Sequence, residues 1–344
     1  MNGVGNWARV LSEAAQRAIP IDVAIEITHH CNFRCQHCYI PDFQAPDLLS
    51  TERIFRLLDE LAEMGTLFLT LTGGELFLRR DWITIARQAR RLGFNLRLLT
   101  NGSLIDQGTA SAIRELTAAV EISLYSMEPE VFEAITQRPG SFADTLAGVE
   151  RLRALGVEVL LKVPIMSLNR GATRRVLEYA QSLGAQCQAF PTIMAKKDGS
   201  LATLGLRLPY AQARPDLLGG PVTGCASDPR GESRDGPLCA AASRYCCITS
   251  AGDVMACNIL PGSGGNLREH SFREIWERSP WLNEVRSIRR GDLRTCGTCA
   301  KLSYCGRCHA QALVEDGDLY GPSSYARSRA EELERGRRSG GRGD

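Results

Sequence analysis

The sequence predicts an α/β fold, a parallel sheet with alternating helices followed by a small cysteine-rich domain. Three observations carry that reading. Between residues 22 and 190, short β-branched or apolar runs alternate with longer amphipathic stretches. Several of those stretches end at a glycine stop, at Gly65, Gly93, Gly156 and Gly184, as helix C-termini prefer. And nine of the 13 cysteines crowd into the segment from Cys225 to Cys308.

Taken in order, residues 1–21 form a helical lead-in, and strands are expected at 22–28, 67–72, 95–99, 120–124, 157–163 and 186–190. Helices are expected between them at 51–64, 81–92, 109–116, 141–155 and 173–183. Repeated βα alternation implies parallel strands joined by right-handed crossovers, either a doubly wound sheet or a partial barrel spanning 22–194. Residues 195–237 are rich in Gly, Pro, Arg and Asp and read as an irregular bridge. Residues 238–327 hold too few apolar side chains for a core of their own, which points to metal as the staple. Residues 328–344, ending in a run of Arg and Gly, read as a disordered basic tail.

Composition excludes several classes. Over 344 residues the formal charge is only +2, so no overall field draws the chain to nucleic acid or to a membrane surface. A hydrophobic share of 44% with 23% charged residues is that of a globular protein. No apolar run reaches the roughly 18–20 residues of a membrane helix, and the N-terminus has no signal-peptide core. A cytoplasmic protein is expected, and in that compartment clustered cysteines are metal ligands rather than disulfides.

Cys31, Cys35 and Cys38 follow the first strand directly in the spacing C-x3-C-x2-C. Three thiolates on one tight loop suit three irons of a cubane cluster and leave the fourth iron open. The alternative is zinc, with His29, His30 or His37 as fourth ligand. At the end of the second strand stands Thr72-Gly73-Gly74-Glu75, whose glycines permit close backbone approach and whose carboxylate can accept from an ammonium group.

Together these two motifs resemble the radical S-adenosylmethionine (radical SAM) superfamily. The resemblance implies a partial (β/α)6 barrel in which Cys31, Cys35 and Cys38 hold a 4Fe–4S cluster. It implies that SAM chelates the open iron and is cleaved by one electron to a hydrogen-abstracting 5′-deoxyadenosyl radical. Gly73, Gly74 and Glu75 would meet the methionine amino group, and His37 would lie near adenine. Asn101, Ser123 and Ser126 fall at further SAM-contacting positions. Leu76 stands where many members have proline, a change in loop stiffness rather than in liganding groups.

The pattern Cys239-x12-Gly252-x4-Cys257, then Cys296-x2-Cys299-x5-Cys305-x2-Cys308, resembles the SPASM extension that carries auxiliary 4Fe–4S clusters. The resemblance gives Cys239, Cys257 and Cys308 to a first auxiliary cluster and Cys296, Cys299 and Cys305 to a second. Cys225, Cys246 and Cys247 are spare candidates for the first, one of the adjacent pair being buried filler; Cys246 is the one taken as a ligand. The usual distal cysteine is absent, so the second cluster is expected to have either an open iron or a non-cysteine fourth ligand, for which His309, Asp316 and Asp318 are candidates. Zinc is again the alternative, and Cys187 reads as a core residue.

The function implied is that of a peptide-modifying radical oxidoreductase related to the radical enzyme of pyrroloquinoline quinone biosynthesis. It would act on a ribosomally made precursor peptide by oxidative carbon–carbon or thioether crosslinking, with a flavodoxin or ferredoxin as reductant. About twenty residues precede the first strand, so a leader sequence is expected to need a separate binding protein or direct capture. The alternatives are a small-molecule enzyme acting on an alcohol or a tetrapyrrole side chain, and a peptide epimerase.

Overall fold

A computed structural model describes residues 3–217, 238–296, 298–301 and 304–340. Helix α1 (Gly3–Gln16) leads into β1 (Asp22–Thr28), and α2 (Thr51–Glu63) carries the chain to β2 (Phe68–Gly73). The alternation continues through α3 (Trp82–Arg91), β3 (Asn95–Thr100), α4 (Gln107–Leu116) and β4 (Ala119–Ser123). Two helices, α5 (Pro129–Thr136) and α6 (Ser141–Ala154), separate β4 from β5 (Val159–Pro164), and α7 (Thr173–Ser182) precedes β6 (Gln186–Phe190). Each helix forms for local reasons. In α2, Ile54, Leu57, Leu58 and Leu61 make one buried stripe, and Ser50 caps the start by accepting from Arg53 N at 3.2 Å.

The strand order β6-β5-β4-β3-β2-β1 never reverses. With right-handed crossovers, an unreversed order puts every helix on one face, so the sheet curls into a partial barrel rather than a doubly wound layer. β1 is buried along nearly its whole length, as parallel strands covered on both sides are.

After α8 (Tyr210–Ala213), the cysteine-rich segment does not form a detached unit. Its first strand, β7 (Tyr245–Ile248), pairs in parallel with β1, and β8 (Asp253–Met255) and β9 (Ser263–Asn266) extend the same sheet to nine strands among the described residues. Helices α9 (Phe272–Arg278) and α10 (Pro280–Ser287) cover this end, and Phe272, Trp276, Leu282 and Val285 share one apolar cluster with the barrel core. Helix α11 (His309–Val314) follows the last cysteines.

Two readings are corrected here. Residues 129–136 were not expected to be helical; α5 is only eight residues long and Pro129 sits at its start, a pattern too short for periodicity to reveal. The basic tail is not disordered over the residues described: α12 runs Ser324–Gly340. Ala326 and Ala330, four apart, are buried against the body, Tyr325 Oη donates to Pro191 O at 3.1 Å, and Lys301 pairs with Glu334 at 2.9 Å. Arginine and glycine content hid that stripe. Among the described residues, no helix is long and apolar enough to cross a membrane.

Candidate active site

The C-terminal ends of the barrel strands open into a cavity of about 530 Å³. This is the rim where barrel enzymes keep their chemistry, because the loops there are free to vary over a rigid sheet. Cys31, Cys35 and Cys38 form one wall, Gly73 and Gly74 the floor beside it, and Cys308 faces them from the cysteine-rich end.

The cysteine loop is held by backbone bonds to the helix the sequence did not reveal. Arg34 N donates to Thr136 O and Gln36 N to Ile135 O, both at 3.0 Å, at the end of α5. All three thiols are free. Burial pushes Cys31 up to about 11 and Cys35 to about 12, and raises Cys38, so without metal the thiols hold their protons. Loading a metal centre there releases those protons. The three do not converge on the single point that a lone ion occupies; they ring a wall of the cavity. That donor set, three soft thiols lining an accessible cavity, fits the ligands an iron–sulfur cluster would need.

Gly73 and Gly74 continue β2 along the loop after β1: Gly74 N donates to Thr28 O at 2.8 Å and Glu75 N to His30 O at 2.7 Å. A Cβ on Gly74 would lie 2.3 Å from His30 O, so only glycine lets these two segments approach. Glu75 does not reach the cavity. It is fully buried behind the glycines and accepts from Thr100 Oγ1 (2.7 Å), Asn101 N (2.8 Å) and Phe77 N (3.2 Å). Burial outweighs those bonds and raises its carboxyl to about 7.

The other expected cofactor residues divide. His37 lines the cavity, stacked edge-on against Tyr125 at 5.1 Å, and burial lowers it to about 4, so it is a neutral, largely apolar surface. Asn101 lines the cavity too, but its carboxamide is committed, donating to Asn32 Oδ1 at 2.8 Å and accepting from Ser103 N at 2.9 Å. Ser123 lines it beside Tyr125. Ser126 does not: it is buried in the turn before α5, accepting from Glu128 N at 3.0 Å, because the chain leaves the rim after Tyr125.

Sequence reasoning missed four polar groups. Lys162 and Glu121 project from β5 and β4 into the cavity and pair at 2.7 Å. Each is a lone charge in an apolar strand, the signal that would have found them. Gln311 and Arg329 line the opposite side, brought there by α11 and α12. Below the rim, Lys197 Nζ donates to both oxygens of the buried Glu26 at 2.6 Å.

In the cysteine-rich part, Cys296, Cys299 and Cys305 line one small cavity of about 30 Å³. Ala242 N donates to Ala256 O at 3.1 Å, drawing the turn that carries Cys239 toward Cys257. Cys246 is corrected as a candidate ligand. Successive strand residues face opposite ways, so Cys246 enters the apolar core, whereas the charges acting on Cys247 are those of Glu26, Lys197, Cys246 and Cys257. Asp316 and Asp318 are taken by local turns, accepting from Ser324 N and Tyr320 N, and His309 Nδ1 lies 3.0 Å from Arg307 Nη1. Cys187 lies partly buried on edge strand β6. Cys225 lies outside the described residues.

Two family models match this chain: the radical SAM superfamily over residues 25–180 and the iron–sulfur cluster-binding SPASM domain over residues 239–309. An AdoMet-dependent heme synthase of Oleidesulfovibrio alaskensis is 26% identical, over 92% of this chain and 89% of its own. A PqqA peptide cyclase of Methylocella silvestris is 25% identical, over 88% and 87%. Among solved structures, Streptococcus suis SuiB bound to its precursor peptide SuiA superposes with a TM-score of 0.68 at 14% identity, over 93% of this chain and 80% of that one. The same protein is known with S-adenosylmethionine bound, again at 0.68, with 16% identity and coverages of 93% and 81%.

Proposed function

From a chain that belongs to the radical SAM superfamily and carries its SPASM extension, we propose an enzyme that modifies a peptide substrate in the cavity at the barrel rim. Its cofactors are SAM and 4Fe–4S clusters. Bound together, they supply one-electron cleavage of a carbon–sulfur bond and hydrogen abstraction from substrate. In this reading Cys31, Cys35 and Cys38 hold the first cluster, with Gly73 and Gly74 offering backbone to SAM. Cys239, Cys257 and Cys308, with Cys247 beside them, hold one auxiliary cluster, and Cys296, Cys299 and Cys305 the other.

The observation that carries the peptide reading is the edge of β6. Among the described residues β6 pairs only with β5, its residues are exposed or half-buried, and it runs through Phe190, Thr192 and Ile193 into the cavity. An extended peptide adding to that edge would deliver its side chains into the site at alternate residues. The partners are then a precursor peptide, presented directly or by a separate leader-binding protein, and a one-electron reductant such as a flavodoxin or ferredoxin. A second reading, a tetrapyrrole substrate, is favoured by the relatives named heme synthases.

Short reading frames beside the gene, co-expressed anaerobically with this protein, separate the two by mass spectrometry. A peptide lighter by two hydrogens per modification establishes oxidative crosslinking. Unchanged mass in water with deuterium uptake in heavy water establishes epimerisation. An unaltered peptide, with SAM consumed only when a carboxylated porphyrin is added, transfers the assignment to the tetrapyrrole.

Glu75→Gln is expected to weaken SAM binding by roughly tenfold by unpairing the Asn101 amide and loosening the Gly73–Gly74 wall, measured by calorimetry. It also has a pH signature. The carboxyl is raised in the fold, so its contribution to stability is fully present below its ordinary value of 4.5 and is lost as pH rises through about 7. That loss is about 3 kcal/mol. Chemical denaturation across this window should show the slope in the native protein and not in Glu75→Gln.

A further inference from the structure

The small cavity lined by Cys296, Cys299 and Cys305 is also lined by two arginines, Arg290 and Arg307. Both are buried, at 7% and 5% exposure. Among the described residues, Arg290 Nε has no hydrogen-bond partner. Arg307 spends its donors on neutral acceptors: Gly321 O at 2.8 Å, Leu319 O, and the His309 ring at 3.0 Å.

Among the described residues, neither guanidinium has a carboxylate partner, and the nearby acids are engaged elsewhere. Asp292 accepts from Arg289 N at 2.7 Å, Asp318 pairs with Arg294 at 3.2 Å, and Glu315 pairs with Arg207 at 2.6 Å. Two buried cations without anions are strongly unfavourable, and arginine cannot escape by losing its proton. The groups of opposite potential charge around Arg307 are thiols: Cys296, Cys308, Cys239 and Cys305. A third arginine, Arg329 of α12, acts on Cys305.

Around the first cysteine site the charges are mixed. Acids act on its thiols, Glu75 on Cys31 and Glu26 on Cys38, against Arg34 and the lysines Lys196 and Lys197, of which Lys197 is already paired with Glu26.

We propose that Arg290 and Arg307 are the counter-charges of the auxiliary cluster held by Cys296, Cys299 and Cys305, and that they raise its reduction potential. The proposal rests on the ligand reading above. Reduction adds one electron and no proton, so the reduced cluster carries one more negative charge. Fixed cations stabilise that state over the oxidised one, and net charge and hydrogen bonding at the sulfurs are recognised determinants of such potentials. Arg290 and Arg307 act through the cluster, as positioning residues for charge.

The test uses the full chain with Cys31, Cys35 and Cys38 replaced by alanine, so that only auxiliary clusters remain. It is reconstituted anaerobically and titrated with dithionite and mediators while the reduced signals are followed by EPR. Arg307→Gln and Arg290→Gln should each lower the midpoint of one cluster by at least tenfold in the reduction equilibrium, 59 mV for one electron. Arg307→Lys, which keeps the charge, should recover most of that shift. Unmoved midpoints in iron-replete Gln variants overturn the proposal alone. Loss of that cluster's iron in both Arg307→Gln and Arg307→Lys also overturns it, since the residue would then serve only the fold. Absence of auxiliary iron before any arginine is changed overturns the ligand reading, and the proposal with it.

Discussion

Replacing Cys31, Cys35 and Cys38 together with alanine is expected to lower 5′-deoxyadenosine formation by about a thousandfold or more, because the cofactor performs the chemistry and the protein only holds and aims it. The fold should survive. The loop is fixed by backbone bonds to Thr136 and Ile135 and by the Asn32–Ser103 and Asn101–Asn32 side-chain bonds, none of which uses a thiol. With two auxiliary clusters, as proposed above, iron per chain should fall from about twelve to about eight as the one four-iron cluster at the rim is lost. Chemical iron analysis, thermal melting and chromatography of the nucleoside product check the three parts separately. Cleavage of SAM at the native rate by this variant would sink the assignment of the site.

Lys197→Met is expected to destabilise the protein by roughly 3–5 kcal/mol, because it strands a buried carboxylate. Glu26 is fully buried on β1, and Lys197 meets both its oxygens at 2.6 Å while His29 stands 3.7 Å away. Burial alone would raise the Glu26 carboxyl; the His29 and Lys197 interactions outweigh it and hold the group below its ordinary 4.5. Its contribution to native stability is therefore present above about pH 4.5 and is lost as pH falls through the lower folded value. Without Lys197 only His29 opposes burial, the largest effect on the group, and the sign reverses: the variant should gain stability relative to the native protein as pH falls toward 5. Urea denaturation at several pH values reads both the loss and the reversal. A parallel slope in the two proteins would show that Lys197 is not what offsets the Glu26 charge.

The strands were legible because burial on both faces writes a continuous apolar run: Asp22–Thr28 could be little else. The cysteine loop was legible because it sets three residues of one type at one spacing, adjacent in the chain. What failed to show were relationships between distant segments. Helix α5, which holds the cysteine loop, has only eight residues, so its one buried set, Phe132, Ile135 and Thr136, spans barely a turn. That Cys247 rather than Cys246 sits beside Cys257 follows from the register of β7 on β1, where Ala24 pairs with Cys247. Glu75 stands in a motif that suggests an exposed ligand, yet its side chain turns back under Thr100 and Asn101.

By itself, then, the sequence determined the barrel, the cysteine loop and the two classes of cofactor, because each is encoded in spacing along one stretch of chain. Only the tertiary structure decided that the cysteine-rich segment continues the barrel sheet through β7, that α12 lines the cavity, and that Arg290 and Arg307 flank three thiols with no acid paired to them among the described residues. These depend on strand register and on helix docking between residues far apart in the chain. Such contacts form where burying apolar surface offsets the entropy of closing long loops, and no local pattern records where that balance falls.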